Sequence, residues 1–498
     1  MSAHKVSCVE KVSSLLDQYA ALPNPNFGLL GPHLQTLGIF ETTESTQIRN
    51  RALQLVEKAI QIGWHVPQDF ILQSFGSYSL EVHTKNSDID LLVVGNLPRK
   101  DFFNHVSKTF KSTADVQFLR LVKDAMVPII KLIVLDIPID LIYAQVHNSL
   151  KKKQISWTKL NLSDMDIPDA RALSGYIDCI TIKNLIPNID KWRVLFQAVK
   201  YWAKKKGIYG NKLCYLGGFG WMILTTRICQ MLPNASVENL FYNFFKFYAI
   251  WDWSKVPLTV LINAKPIEFN MGPGDCFVVV TVTSPHRNSA RNVTQSTKKI
   301  IINEFQNAAN YLENNQFAKI WEPVPFFSKY PSYLEIVCEA ENLKDFLKWI
   351  GYLESRFVSL ITEMEQVTKN RLITHIYPAS FQSLETIQHP HSCTFFIGLE
   401  VIPDPNGEQA RFSINEPIEK FQLLCYGWEG FSKSMLIQIK RTKREKIQNL
   451  NMKVVQVELL KVKAAPVQSD LAPSPSPSPS PSDATGAKKK FRTIQTAL

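Results

Sequence analysis

The sequence predicts a multidomain chain of mixed α/β and α+β class, with a helical middle portion and an unpacked tail. Three observations carry that prediction. Between Phe75 and Ala144, short apolar runs bounded by Gly, Asp and Pro read as strands, with a helical stretch between them. From Asn188 to Lys206 apolar residues recur at helical spacing (Trp192, Leu195, Ala198, Val199, Trp202), and an apolar helix follows from Trp221 to Leu232. After Pro323 the β-prone runs return around one amphipathic segment, and Pro473 to Ser482 is a strict Pro-Ser alternation that favours extended, unpacked chain.

The 498 residues leave room for two or three domains, and a content of 45% hydrophobic and 20% charged residues suits a sizeable core. A formal net charge of +12 favours a polyanionic partner, nucleic acid or a membrane surface. No apolar run is long enough to span a bilayer, and the N-terminus lacks a secretory core. The eight cysteines, from Cys8 to Cys425, have no paired spacing, which argues against a zinc site or a disulfide framework and fits a reducing compartment. The sequons at Asn161, Asn234 and Asn292 are then chance matches.

In chain order, Val9 to Leu22 reads as a short helix, Pro23 to Pro32 as a connector, and Thr43 to Ile62 as a helix. Leu91 to Val94 reads as a buried strand, Asp101 to Lys111 as a helix, and Ala114 to Val122 as mixed strand. Val127 to Leu135 and Ile139 to Ala144 read as strands joined by a turn at Asp136 to Pro138, because Pro138 cannot donate a ladder hydrogen bond. Lys151 to Lys153 reads as a solubilising loop patch. Tyr333 to Cys338 reads as a strand, Asn342 to Gln366 as an amphipathic helix, and Cys393 to Ile402 and Phe421 to Cys425 as further β-prone runs. Lys440 to Lys446 is basic, either a solvated face or a phosphate contact.

The chemistry concentrates where the buried strand begins. Asp88 and Asp90 are one residue apart, so in a strand both side chains point to one face. Two like charges there are costly unless a cation joins them, and carboxylate oxygens suit a divalent metal. Gly76 lets the backbone approach a ligand closely, and turn amides with the Ser77 hydroxyl can hold phosphate oxygens. Further on, lysines crowd the end of the helix that starts at Asn188. The helix dipole accounts for Lys204, Lys205 and Lys206 better than for Lys200, a turn earlier. The glycines of Leu216 to Gly220 open the next helix, where they either form an anion site or allow close packing.

Phe75-Gly76-Ser77, a spacer, then Asp88-Ile89-Asp90-Leu91 resembles the signature of the DNA-polymerase-beta-like nucleotidyltransferases. That signature implies a third carboxylate on a neighbouring strand, which Asp140 supplies. Asp136, in the turn, is the rival. The resemblance narrows with Val82 to Lys85, Asp124 to Lys131, Trp202-Ala203-Lys204, Ile208-Tyr209, Leu216-Gly217-Gly218, Cys229 to Ala235, Trp251-Asp252-Trp253 and Asn292-Val293. In this order they resemble the nuclear-type eukaryotic poly(A) polymerases, to about Gly351 and more weakly to about Glu445.

The resemblance implies an N-terminal helix within 1–40 packing on the middle domain and a nucleotidyltransferase domain over 41–155. It implies a helical middle domain over 156–325, an RNA-recognition-motif-like domain over 326–460 and a disordered tail over 461–498. No usual RNA-stacking aromatic motif is visible in the fourth segment. It further implies template-independent addition of AMP from ATP to RNA 3′ ends, with Asp88, Asp90 and Asp140 holding two Mg²⁺, or Mn²⁺ in their place. Phe75, Gly76, Ser77, Lys200 and Tyr209 would bind the triphosphate with Thr84 close by, and Asn211, Gly218 and Phe219 would lie near base and sugar.

Ser79 and Glu81 stand where many members have Arg and Gly, and Phe219 where a smaller Val is usual. These departures leave two alternatives: an RNA-binding module that has lost catalysis, and a terminal transferase preferring UTP. Implied partners are ATP, pre-mRNA or mRNA 3′ ends and cleavage and polyadenylation factors, for a monomer without membrane attachment. The implied compartment is the nucleus. The absence of the long localisation tail, with only Lys488 to Arg492 as a basic cluster, allows a cytoplasmic form.

Overall fold

The structure, a computed structural model, describes residues 28–64, 70–85, 87–123, 125–146, 157, 160–382, 388–403, 412–447 and 453–455. The helix expected at Val9 to Leu22, the Lys151 to Lys153 patch and the Pro-Ser tail lie outside the described residues.

The first described helix, α1 (Leu30–Thr36), begins inside the stretch read as a connector. Pro32 falls in its first turn, where the missing amide would have had no helical partner. The Leu30 amide donates to Glu238 Oε1 at 3.0 Å, and His33 packs on Phe317 and Trp321. α1 thus belongs to the helical middle of the molecule. α2 (Thr43–Trp64) follows, and its buried Ala52, Val56, Ala59 and Ile60 face a different body.

That body is a five-stranded sheet, in the spatial order β1-β2-β5-β4-β3. Its elements are β1 (Phe70–Phe75), the single turn α3 (Gly76–Ser79), β2 (Ile89–Gly95), α4 (Arg99–Ser112), β3 (Val116–Val122), β4 (Ile129–Val134) and β5 (Ile137–Gln145). β2 and β5 are parallel and the other pairs antiparallel. One face (Ile89, Leu91, Val93, Ile139, Leu141, Tyr143) packs on α2 and α4. The other (Leu92, Val94, Ile142, Ala144) packs on Ala172, Leu173, Tyr176 and Ile177 of α5 (Ile167–Leu185). The turn between β4 and β5 is Leu135 and Asp136, both at positive φ, two residues before its expected end. Pro138 lies inside β5 opposite Ile133, tolerated because the pairing with β2 starts only at Ile139.

Four longer helices build the middle: α6 (Ile189–Lys205), α7 (Gly218–Met231), α8 (Val237–Ile250) and α9 (Gln295–Glu313). They enclose a core of large rings, among them Trp192, Trp202, Trp221, Phe245, Trp253 and Phe305. Asn188 caps α6 by accepting from the Lys191 amide.

A second sheet follows, with β6 (Ser332–Ala340), α10 (Leu343–Val367), β7 (Leu372–Ile376), β8 (His391–Val401), α11 (Asn415–Tyr426) and β9 (Met435–Lys443). The βαββαβ succession with spatial order β9-β6-β8-β7 is a ferredoxin-like split βαβ sandwich, the architecture of RNA-recognition-motif-like domains. Phe421 to Cys425 is part of helix α11, not a strand. Pro417, Phe421 and Cys425 recur every four residues and are the buried face, with Phe421 stacked on Phe357 of α10.

Candidate active site

The strand register draws a single row of side chains across the first sheet. Phe75 at the end of β1 is opposite Asp90, Asp90 opposite Asp140, Asp140 opposite Lys131, and Lys131 opposite Arg120. Residues opposite one another share a face. This is the face that α5 covers further along the strands, so the row marks where the apolar packing ends and a cleft begins. Asp88 precedes β2 on the same side. One carboxylate oxygen from each of Asp88, Asp90 and Asp140 lies within 4.8 Å of the others. Asp136, the rival, sits in the exposed β4–β5 turn and bonds to Gln117.

Gly76 adopts φ +67°, and a Cβ there would collide with the Asp90 carboxylate. The glycine therefore makes room for an acidic side chain of its own protein, a requirement the sequence did not disclose. Burial raises the Asp90 carboxyl to about 7, with the charges of Asp88 and Asp140 adding to the effect. Asp88 is open to the cleft, yet the protein around it and then Asp140 push its carboxyl up as well. Carboxylates this close and this costly to ionise are a donor set that a hard divalent cation completes. Lys131 approaches Asp140 from β4, its Nζ donating to both oxygens at 2.8 and 2.5 Å.

These groups line a cleft of about 700 Å³ between the first sheet and the middle helices. Phe75, Gly76 and Ser77 form one wall, and Lys200, Lys204, Tyr209, Gly218 and Phe219 the opposite one. Burial, then the charge of Lys204, lowers Lys200 to about 8. Tyr209 is held neutral by burial, then by the charges of Asp88 and Asp90, and Lys204 Nζ lies 5.4 Å from its ring centroid. Gly218 begins α7, and a Cβ there would press on the Tyr209 hydroxyl. Phe219 lines the cleft half-buried.

Two expected residues do not line it. Thr84 belongs to the turn before Asp88, where its amide and hydroxyl bond to Ser87 Oγ at 2.9 and 3.1 Å. Asn211 braces two loops, donating to Ser289 O and accepting from Asn292. Several lining residues were not expected as such: Lys131, Lys204, Arg171 and Arg287. Lys204 follows Lys200 by one helical turn, a spacing that was available from the sequence. Arg287 donates to Ser174 Oγ at 2.6 Å, across more than a hundred residues, which no local pattern encodes.

A mixed sheet with paired carboxylates at its strand ends, a glycine-serine turn beside them and lysines across a cleft defines a polymerase-beta-like nucleotidyltransferase fold and site. Three family models match in succession: "Poly(A) polymerase nucleotidyltransferase domain" over 68–186, "Poly(A) polymerase central domain" over 191–324, and "Poly(A) polymerase predicted RNA binding domain" over 325–390 and 383–456. The chain belongs to the poly(A) polymerase family. It is 31% identical over 395 residues to nuclear poly(A) polymerase 4 of Arabidopsis thaliana, covering 76% of this chain and 52% of that one. It is 30% identical over 460 residues to nuclear poly(A) polymerase 1 of the same plant, covering 84% and 63%. The Dictyostelium discoideum poly(A) polymerase is 32% identical over 377 residues, covering 71% and 46%. The chain thus spans about half to two thirds of the length of the curated relatives it matches. A solved structure of the Cid1 poly(U) polymerase aligns at 14% identity with a TM-score of 0.43, covering 60% of this chain and 99% of that one. No described helix is long and apolar enough to cross a membrane.

Proposed function

We propose that this protein is a polynucleotide adenylyltransferase that adds AMP from ATP, without a template, to RNA 3′ ends. The row Phe75, Asp90, Asp140 and Lys131, facing Lys200 and Tyr209 across one cleft, carries the reading. On this reading residues 41–155 hold the chemistry, 156–325 close over the nucleotide and 326–460 hold RNA.

Asp88, Asp90 and Asp140 would hold two divalent ions, Mg²⁺ or Mn²⁺ in its place. Such ions, when bound, supply charge neutralisation and favour the ionised hydroxyl of the acceptor. The rest is positioning and fixed charge. The Gly76-Ser77 turn and the ammonium groups of Lys200 and Lys204 meet the triphosphate, and Phe219 and Gly218 flank the base. Lys131 fixes the Asp140 carboxylate through both of its oxygens. The RNA 3′-hydroxyl oxygen bonds to the α-phosphorus as the bond to the β-phosphate oxygen breaks, and pyrophosphate leaves. Its proton passes to Asp140 or to solvent.

The partners follow from the reaction: ATP and RNA 3′ ends. The names of the two plant relatives support a nuclear compartment. The cytoplasmic form allowed by the sequence finds no support among them. Primer extension with purified protein, an unstructured RNA and each nucleoside triphosphate in turn tests the reading. Long products with ATP alone are expected. Products with UTP instead would overturn the substrate, and RNA binding without any product would overturn the activity.

A further inference from the structure

The turn that delivers Asp88 is held by a buried arginine outside the cleft. Arg49, on α2, has no exposed surface. Its guanidinium donates to three carbonyl oxygens of the turn: Thr84 at 3.2 Å, Lys85 at 3.0 Å and Ser87 at 2.8 Å. Its Nε donates to Glu41 Oε1 at 2.9 Å. Glu41 lies between α1 and α2 and its other oxygen is 2.8 Å from His83 Nε2, at the entrance of the same turn. Arg49 does not line the cleft.

Planar donors on three backbone carbonyls fix where a turn sits and how it is rotated, which a single contact cannot do. The last of those carbonyls belongs to the residue before Asp88. A second arginine grips the near end of the same segment from the middle helices. Arg193 on α6 donates to Leu80 O at 3.1 Å and pairs with Glu81 at 2.9 Å.

We infer that Arg49 is a positioning residue that sets the Asp88 carboxylate for divalent-ion binding by clamping the carbonyls of Thr84, Lys85 and Ser87, with Glu41 orienting the guanidinium. This inference rests on the metal-holding role proposed above for Asp88. Lysine keeps the charge at this position but has no fork to reach three acceptors. Charge alone therefore does not restore the function.

The test is direct Mn²⁺ binding to the full chain without nucleotide, followed by electron paramagnetic resonance, in wild type, Arg49→Lys and Asp88→Ala, with thermal unfolding alongside. Arg49→Lys is expected to weaken Mn²⁺ binding about 10- to 100-fold, the usual effect of removing a residue that orients a metal ligand. Should Arg49→Lys not fold, Glu41→Gln, which leaves the three carbonyl bonds, must show a smaller weakening in the same direction. Wild-type Mn²⁺ affinity in folded Arg49→Lys, or in Glu41→Gln where that variant carries the test, with weakened binding in Asp88→Ala, would overturn this inference alone. An absence of Mn²⁺ binding in the wild-type chain would overturn the metal-holding role and this inference with it.

Discussion

The two larger sheets of this protein treat their polar faces in opposite ways. In the first, Asp90, Asp140 and Lys131 stand in a row across neighbouring strands and open into the cleft. In the second, one face packs on α10 and α11, and the face opposite, where RNA-recognition motifs stack bases, is covered by the chain itself. Tyr333 and Phe396 there are buried beneath Phe326, Phe327, Tyr330 and Phe381. Glu339 accepts the amides of Gln388 and His389, and Glu335 pairs with Lys440. The aromatics of the second sheet are therefore core. Polar groups of the first row line an open cleft, whereas those on the covered face of the other sheet are taken up by the chain's own amides and by Lys440.

Breaking that contrast starts with the largest effect. Asp90→Asn should lower AMP incorporation on the order of 10³-fold or more while the melting temperature stays within a few degrees. Phe396→Ala should do the reverse: it removes a buried ring at a cost of about 3–5 kcal/mol, and the protein that remains folded keeps its turnover. Loss of activity without loss of stability in Phe396→Ala would show that the second sheet takes part directly. Gly76→Ala comes next. A methyl group against Asp90 should displace the carboxylate and lower kcat about 10²-fold, as misplacement by about an ångström does.

Lys200→Met sharpens the assignment of the far wall. Loss of a charge-assisted contact of about 1.5–3 kcal/mol should raise the KM for ATP roughly tenfold or more. Lys200 in the free protein is protonated below about 8 and neutral above it, so kcat/KM for ATP should fall as pH rises through that value. Lys200→Met should flatten this limb of the profile. The smallest effect belongs to Glu81, which adopts φ +58° in the left-handed region. Glu81→Gly relieves roughly 1 kcal/mol of backbone strain and gives up the partly exposed Arg193 pair, worth up to about 1 kcal/mol. Its melting temperature should therefore move little in either direction.

What was legible in the sequence was local. Asp88 and Asp90 announced themselves because two carboxylates one residue apart stood before an apolar run, and Gly76-Ser77 because turn chemistry is short-range. Lys131 was not legible, since its pairing with Asp140 depends on a turn at Leu135 and Asp136 that was expected to extend to Pro138. Arg171 and Arg287 enter the cleft from a helix and a loop distant in sequence, and Arg49 acts through backbone carbonyls that carry no residue code. Phe421 to Cys425 looked like strand because a short apolar run has no period of its own. Only Pro417, four residues earlier, reveals the helical face.

The most direct measurement is incorporation of label from α-³²P-ATP into an RNA primer by wild type, Asp140→Ala and Asp136→Ala, with folding checked by circular dichroism. Loss of incorporation in folded Asp140→Ala, beside wild-type incorporation in Asp136→Ala, is the expected result. Undiminished incorporation in Asp140→Ala would contradict the assignment of the carboxylate row as the centre of AMP transfer.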